Sequence, residues 1–157
     1  MRRKEREITD KAVLEQLLMQ TQICRLGLYD GKWPYVVPVN MGYEAGRLYF
    51  HSSKKGRKME ILRHSPNVCF EVDGDVEIVT GELPCNWTTN YKSVIGFGTA
   101  VILETEEEKL AGMRVIMRRH GGPVEGFKSE HFAAMAVVRI DIASMTGKAN
   151  PPHGEWG

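Results

Sequence analysis

Residues 47–66 read RLYFHSSKKGRKMEILRHSP, and the period of the apolar positions changes in the middle of this run. Arg47 to Phe50 reads as a short strand. Met59, Ile61 and Leu62 suit a short helix that begins close to Gly56 and ends before Pro66, since a proline drives the residue before it out of the helical region. Between them lie His51, Ser52, Ser53, Lys54, Lys55, Gly56, Arg57 and Lys58: two hydroxyls, four cations and a glycine at a strand-to-helix junction. Backbone N–H groups point out of a helix N-terminus, the helix dipole favours an anion there, and an arginine fork can hold two phosphate oxygens. The junction therefore suits a phosphate. A plain solvated basic turn is the competing reading, and the run matches no P-loop pattern.

Working upstream, Val13, Leu14, Leu17 and Leu18 recur at helical spacing and predict a helix over 9–20, with Thr9 as N-cap and Ile8 and Val13 as a hydrophobic staple. Ile23 to Tyr29 reads as a strand, Asp30-Gly31 as a hairpin turn and Trp33 to Tyr43 as the returning strand. Pro34 and Pro38 confine that strand to an edge, or to positions where no N–H is required. Glu44-Ala45-Gly46 turns the chain into Arg47. Downstream, Asn67–Val72 and Val76–Gly81 are expected to form a hairpin around Asp73-Gly74-Asp75. An irregular stretch, ELPCNWTTN, leads to a long strand from Tyr91 to Glu104. Its Gly96 and Gly98 signal a bulge, a sharp bend, or close approach of a ligand or another backbone. Thr105 and Glu108 make a capping box for a helix over Glu106–Arg119, whose end carries Arg118, Arg119 and His120 and is stopped by Gly121-Gly122-Pro123. A short helix at 128–134 and a last strand, Met135 to Ser144, complete the pattern. Six or seven strands joined mostly by hairpins, with two or three helices, predict a mainly β fold: a small antiparallel barrel with helices at its ends.

The 157 residues predict one domain over 1–150 and a tail, 151–157, with the Pro- and Gly-rich stretch after Gly147 expected to hang loose or to dock on a partner chain. Lysine and arginine number 21 against 20 aspartate and glutamate, a net charge of +1 that disfavours nucleic acid as partner. The charge is uneven: residues 1–63 hold 13 basic and 7 acidic side chains, and residues 64–157 hold 8 and 13, so an anion site belongs to the first part. No apolar run is long enough for a membrane helix, and the charged start MRRKEREITDK is not followed by the apolar stretch of a secretory signal. Three cysteines without a C-x-x-C and five histidines without ligand spacing indicate no metal site; buried free thiols in a reducing cytoplasm are expected.

Two further stretches carry candidate chemistry. In Val36-Val37-Pro38-Val39-Asn40, Pro38 offers a carbonyl with no N–H of its own, and a flat heteroaromatic ring could lie along such a strand, though an ordinary edge strand reads the same way. Tyr91-Lys92-Ser93-Val94-Ile95-Gly96-Phe97-Gly98 mixes hydroxyls and glycines on a strand, which permits close ligand or subunit contact and equally suits a core strand. Cys85, just upstream, is taken as structural, since a nucleophilic thiol needs a base nearby.

Taken in order, RLGL (25–28), PYVVPVN (34–40), LYFHSSKKGRKMEIL (48–62), NVCFEVD (67–73), YKSVIGFGTA (91–100), EEEKLAGMRVIM (106–117) and the segment from Ile140 to Lys148 resemble the FMN-binding split-barrel superfamily of pyridoxamine 5′-phosphate oxidase. The resemblance covers nearly the whole chain and looks closest to the branch of the nitroimidazole-resistance (Nim) proteins. It implies a homodimer with FMN in grooves at the subunit interface. By position, His51, Ser52, Ser53, Arg57 and Lys58 would surround the phosphate, and Val37, Pro38, Val39 and Asn40 would run beside the isoalloxazine ring. Tyr91, Ser93 and Val94 would come from the other chain, with Lys148 also near the cofactor. Nim-like proteins carry a histidine at the position of His51, which makes it the candidate catalytic residue; a histidine that only orients the phosphate loop is the alternative. The implied activity is that of a cytoplasmic FMN-dependent oxidoreductase acting on a small acceptor, nitroaromatic compounds among them. A non-catalytic flavin- or haem-binding or storage protein of the same fold is the second reading. The Arg- and Pro-containing substrate segment of true pyridoxamine-phosphate oxidases has no counterpart in KANPPHGEWG, so vitamin B6 oxidation is not implied.

Overall fold

The structure, a computed structural model, describes residues 3–152; the last five residues of the tail lie outside the described residues. Seven strands, β1 (Glu7–Ile8), β2 (Ile23–Tyr29), β3 (Pro34–Glu44), β4 (Arg47–Ser53), β5 (Asn67–Val79), β6 (Thr88–Ile102) and β7 (Met135–Asn150), form one sheet in the order β1-β7-β4-β3-β2-β5-β6. All pairings are antiparallel. The edges meet: β6 pairs with β7 from Tyr91↔Asn150 to Ile102↔Val138, which closes β2 to β7 into a barrel. Among the described residues four α-helices accompany it: α1 (Lys11–Gln20), α2 (Arg57–His64), α3 (Glu106–Arg119) and α4 (Ser129–Ala134).

Strand alternation fills the interior. Leu26, Leu48, Phe50, Phe70, Val72, Val94, Val138 and Ile140 are buried at 1% exposure or less, and Leu14, Leu17 and Leu18 of α1 join the same core. Burial of each such side chain contributes on the order of 1.5–3 kcal/mol. A second cluster lies outside the barrel wall, where α3 and α4 cover β7: Leu103, Met113, Ile116, Phe132 and Val137. Val137 points away from the barrel interior, opposite to Ala136 and Val138, and is buried because α3 roofs that face. The capping box of α3 forms as the sequence predicts, Thr105 Oγ1 accepting from the Glu108 N–H at 3.2 Å and the Glu108 carboxylate accepting from the Thr105 N–H at 3.1 Å.

Four local expectations change. Asp10, not Thr9, caps α1, its Oδ1 accepting from the Ala12 N–H at 2.8 Å, and Ile8 is buried in β1 instead of stapling the helix. Residues 67–79 are one strand, not a hairpin: Asp73-Gly74-Asp75 takes a bulge opposite β6 between Gly74 and Glu77, and the chain reverses only over 80–87. The strand before the basic junction runs on through His51, Ser52 and Ser53, because these polar residues pair with Val137, Ala136 and Met135 of β7. The last strand continues to Asn150 along β6, and Gly147 lets it pass under the N-terminal layer, where a Cβ would stand 2.1 Å from Leu14 Cδ2 and 2.9 Å from Ile8 Cβ.

Among the described residues the barrel wall parts between β3 and β4. β3 and β4 pair only from Met41↔Phe50 to Glu44↔Arg47. Beyond Met41, residues 34–40 of β3 stay with β2, while residues 51–53 of β4 stay with β7. An open edge of β3 thus faces the strand-to-helix junction.

Candidate functional site

The parting explains the two prolines. Bonds at the ends of the β2–β3 ladder, from Met41 N–H to the Gln22 carbonyl (3.4 Å) and from Asp30 N–H to the Trp33 carbonyl (3.2 Å), set its phase. Alternate pairs of an antiparallel ladder exchange bonds, so Tyr35, Val37 and Val39 bond to β2, whereas Pro34, Val36 and Pro38 turn their backbone groups to the open side. No ladder bond is lost at either proline. Side chains alternate as well: Val39 is buried at 7% exposure and Val37 is half-buried against the core, while Val36, Pro38 and Asn40 are exposed. Val37 and Val39 therefore turn their side chains to the core, while Val36, Pro38 and Asn40 remain exposed along the open edge.

Across the opening, Gly56 takes φ +106° and starts α2 without any side-chain cap, so the first N–H groups of the helix have no side-chain acceptor. Ser53 Oγ accepts from the Lys55 N–H at 3.2 Å, and Arg63 donates to the Lys54 carbonyl at 2.7 Å, which fixes the loop into the helix. Lys58 is half-buried, its Nζ 5.3 Å from the centroid of the Phe50 ring. Burial pulls its pKa down, with no carboxylate acting against that effect. A partly desolvated ammonium and an uncapped helix start are features that suit an anion.

Arg57 is placed differently. Its guanidinium pairs with Asp30 of the β2–β3 turn at 2.5 Å and lies over the Tyr35 ring, Cζ 4.8 Å from the centroid. Neither Asp30 nor Tyr35 stands out in the sequence, where Asp30 reads only as a turn residue. His51 and Ser52 face opposite ways, as neighbours on a strand must: Ser52 follows the inward set of Leu48 and Phe50, and His51 is exposed on the outer face. Desolvation by its surroundings, then the charges of Lys58 and His120, lower the His51 pKa. His120, at the end of α3, is a neighbour that sequence reasoning did not connect to His51.

The remaining candidates gather elsewhere. Tyr91, Ser93 and Lys148 meet on β6 and β7: Ser93 pairs with Lys148, whose Nζ lies 5.8 Å from the Tyr91 ring centroid. Val94 is fully buried in the core, which leaves only its backbone for any contact. Asn150, buried and bonded to Thr89 carbonyl at 2.6 Å, pins the end of β7 beside them. Of the cysteines, Cys24 is buried, with its thiol pushed up to about 12 by desolvation, Cys69 is half-buried, and Cys85 is exposed rather than buried, donating to Asn86 Oδ1 at 3.5 Å. Among the described residues no three His, Cys, Asp or Glu side chains converge as a metal site, and no helix is long and apolar enough to cross a membrane.

Comparison with known proteins gives a consistent picture. A family profile described as pyridoxamine 5′-phosphate oxidase matches residues 10–149. A search of curated proteins finds no match. Among solved structures, the chain is similar to a protein from Bacteroides thetaiotaomicron described as concerned with 5-nitroimidazole antibiotic resistance. That match has 30% identity and a TM-score of 0.82, covering 91% of this chain and 86% of the other. A flavocytochrome from Azotobacter vinelandii (23% identity, TM-score 0.78, 91% of this chain and 68% of the other) shares the fold. So does an FAD- and haem-binding protein from Mycobacterium smegmatis (16%, 0.80, 95% and 74%).

Proposed function

The chain belongs to the pyridoxamine 5′-phosphate oxidase family, and on that premise we propose that it is a cytoplasmic FMN-dependent oxidoreductase that acts as a homodimer on a small acceptor, nitroaromatic compounds among them. The observation that carries the reading is the opening between β3 and β4, which sets an open strand edge beside a half-buried cation and an uncapped helix. Ser52, Ser53, Arg57, Lys58 and the first N–H groups of α2 would hold the FMN phosphate. The outward backbone groups of Pro38 and Asn40, with the Asn40 side chain, would run beside the ring, with Val37 and Val39 behind them.

When bound, FMN supplies the electron transfer. The chain positions it and its acceptor. His51, whose pKa is lowered by desolvation and by the charges of Lys58 and His120, would offer its ring nitrogens for hydrogen bonding at the edge of this opening.

The second half of the site comes from a second copy. From Ala136, the partner of Ser52, to Lys148, the partner of Ser93, β7 runs a contour of about 40 Å at ~3.3 Å per residue, which supports drawing the second group from another copy. Val76, Ile78, Leu83, Trp87, Ile95 and Phe97, each 45% exposed or more, make an apolar face along β5, β6 and the loop between them that a partner would cover. Tyr91, Ser93, the Val94 backbone and Lys148 of that partner would close over the ring.

An absorbance spectrum of the purified chain tests this. The expected result is a flavin band that bleaches on reduction, FMN in the released small molecule by mass, and anaerobic turnover of a nitroimidazole. A haem spectrum, or no gain in thermal stability with added FMN, contradicts the cofactor assignment. A flavin band without turnover of any small acceptor makes the protein a flavin binder.

A further inference from the structure

We propose that Asp30 is a positioning residue for the phosphate site, holding Arg57 ready for the anion. The inference rests on the reading that Arg57 meets the FMN phosphate. Asp30 is itself fixed. Its Oδ1 accepts from the Lys32 N–H at 2.8 Å and the Trp33 N–H at 2.6 Å, which locks the carboxylate into the β2–β3 turn. The other oxygen, Oδ2, is left to accept from Arg57 Nη2 at 2.5 Å. The flat face of the guanidinium rests on the Tyr35 ring, 4.8 Å from its centroid. A turn, a strand and a helix start thus constrain one arginine from two directions.

A guanidinium has five N–H donors in a planar fork. One end held by a carboxylate leaves the other end free for a phosphate, already oriented. Arg57 is otherwise an exposed side chain with many rotamers, and ordering it would weaken the binding of any anion. Asp30 and Tyr35 remove that loss before the ligand arrives. The strong hydrogen bonds at Asp30, those from the Trp33 N–H, Arg57 and the Lys32 N–H, also keep its carboxyl ionised far below neutral pH, so the hold persists over the working range. A cleft of about 460 Å³ lined by Tyr29, Asp30, Arg57, Glu60 and His64 flanks the pair, and leaves the ion pair reachable by water and solutes.

Asp30→Asn separates this role from a structural one, because the amide oxygen can still accept from the Lys32 and Trp33 N–H groups while the charge is lost. Dissociation constants for FMN and for riboflavin, which lacks the phosphate, are measured by titrating the flavin-free full chain. Arg57→Ala is expected to weaken FMN about 10- to 100-fold, one or more charge-assisted bonds, and to leave riboflavin unchanged. Asp30→Asn is expected to weaken FMN by a smaller factor, about 3- to 10-fold, again without change for riboflavin, and to have no further effect in the Arg57→Ala background. Tyr35→Leu, which removes the second constraint, is expected to act in the same direction. The proposal is overturned if Asp30→Asn leaves FMN affinity unchanged or tightens it, the latter meaning that Asp30 competes with the phosphate. An equal loss for FMN and riboflavin also overturns it, since that is a general structural effect. Should Arg57→Ala leave FMN affinity intact, the phosphate placement itself fails, and the role of Asp30 falls with it.

Discussion

Lys58→Met is expected to move flavin affinity and stability in different directions. The Lys58 ammonium is half-buried over Phe50, its pKa is lowered by desolvation, and no described carboxylate pairs with it. Methionine keeps the apolar stem on the Phe50 ring and removes the charge. The cation–π contact that is lost was worth ~0.5–1 kcal/mol. Relief from holding a charge out of water without a counter-anion offsets that loss. The net change in stability is near zero or slightly favourable, so Tm should stay within about 3 °C of the parent or rise, since 1 kcal/mol corresponds to about 2–4 °C at this chain length. FMN binding should weaken by about 10- to 150-fold, the equivalent of one charge-assisted hydrogen bond at ~1.5–3 kcal/mol. Riboflavin affinity should not change. Scanning calorimetry gives the first quantity and fluorescence titration the other two. A Tm lower by about 6 °C or more, roughly 2 kcal/mol, with FMN affinity unchanged, would refute the reasoning and make Lys58 a structural cation.

Gly42→Ala places a Cβ 2.7 Å from the Val115 carbonyl oxygen and 2.8 Å from the Ile116 nitrogen, both helix backbone, so α3 must lift off β3; a loss of about 1–3 kcal/mol is expected in denaturant unfolding. His51 has a lowered folded pKa, so the unfolded state takes up its proton first as the pH falls. Stability is therefore retained above about pH 6.5, the ordinary histidine value, and declines below it, and His51→Gln should flatten that decline in a series of Tm against pH. Phe97→Asp puts a charge on the exposed apolar face of β6 and should yield a folded monomer with weakened flavin binding, read by light scattering and titration.

Local signals carried most of the fold. Ile23–Tyr29 and Glu106–Arg119 fall on β2 and α3 with the same bounds, because alternation in one and a capping box with a glycine stop in the other are written within each segment. Where the reading slipped, the deciding partner was distant in sequence. Asp73-Gly74-Asp75 has the composition of a reversal, but its register against Asn90 to Ser93 makes it a bulge. The hydroxyls of Ser52 and Ser53 look like loop, yet β7 pairs with them from more than eighty residues away. The same holds at the site. The basic junction and the proline-bearing strand were legible as chemistry, whereas the Asp30–Arg57 pair spans 27 positions and the proximity of His51 to His120 arises only when α3 packs on the barrel. Val39 and Val94 show the converse: inside a stretch that faces a groove, every second side chain belongs to the core.

The central claim is that a mononucleotide flavin seats in the β3–β4 opening and that a second copy completes its site. Sedimentation velocity followed in the visible flavin band tests it most directly. The flavin signal is expected to travel entirely with the dimer and to vanish from the dimer boundary in the Arg57→Ala, Lys58→Met double variant. Flavin travelling with a monomer, or a dimer of the double variant that retains it in full, would contradict the account.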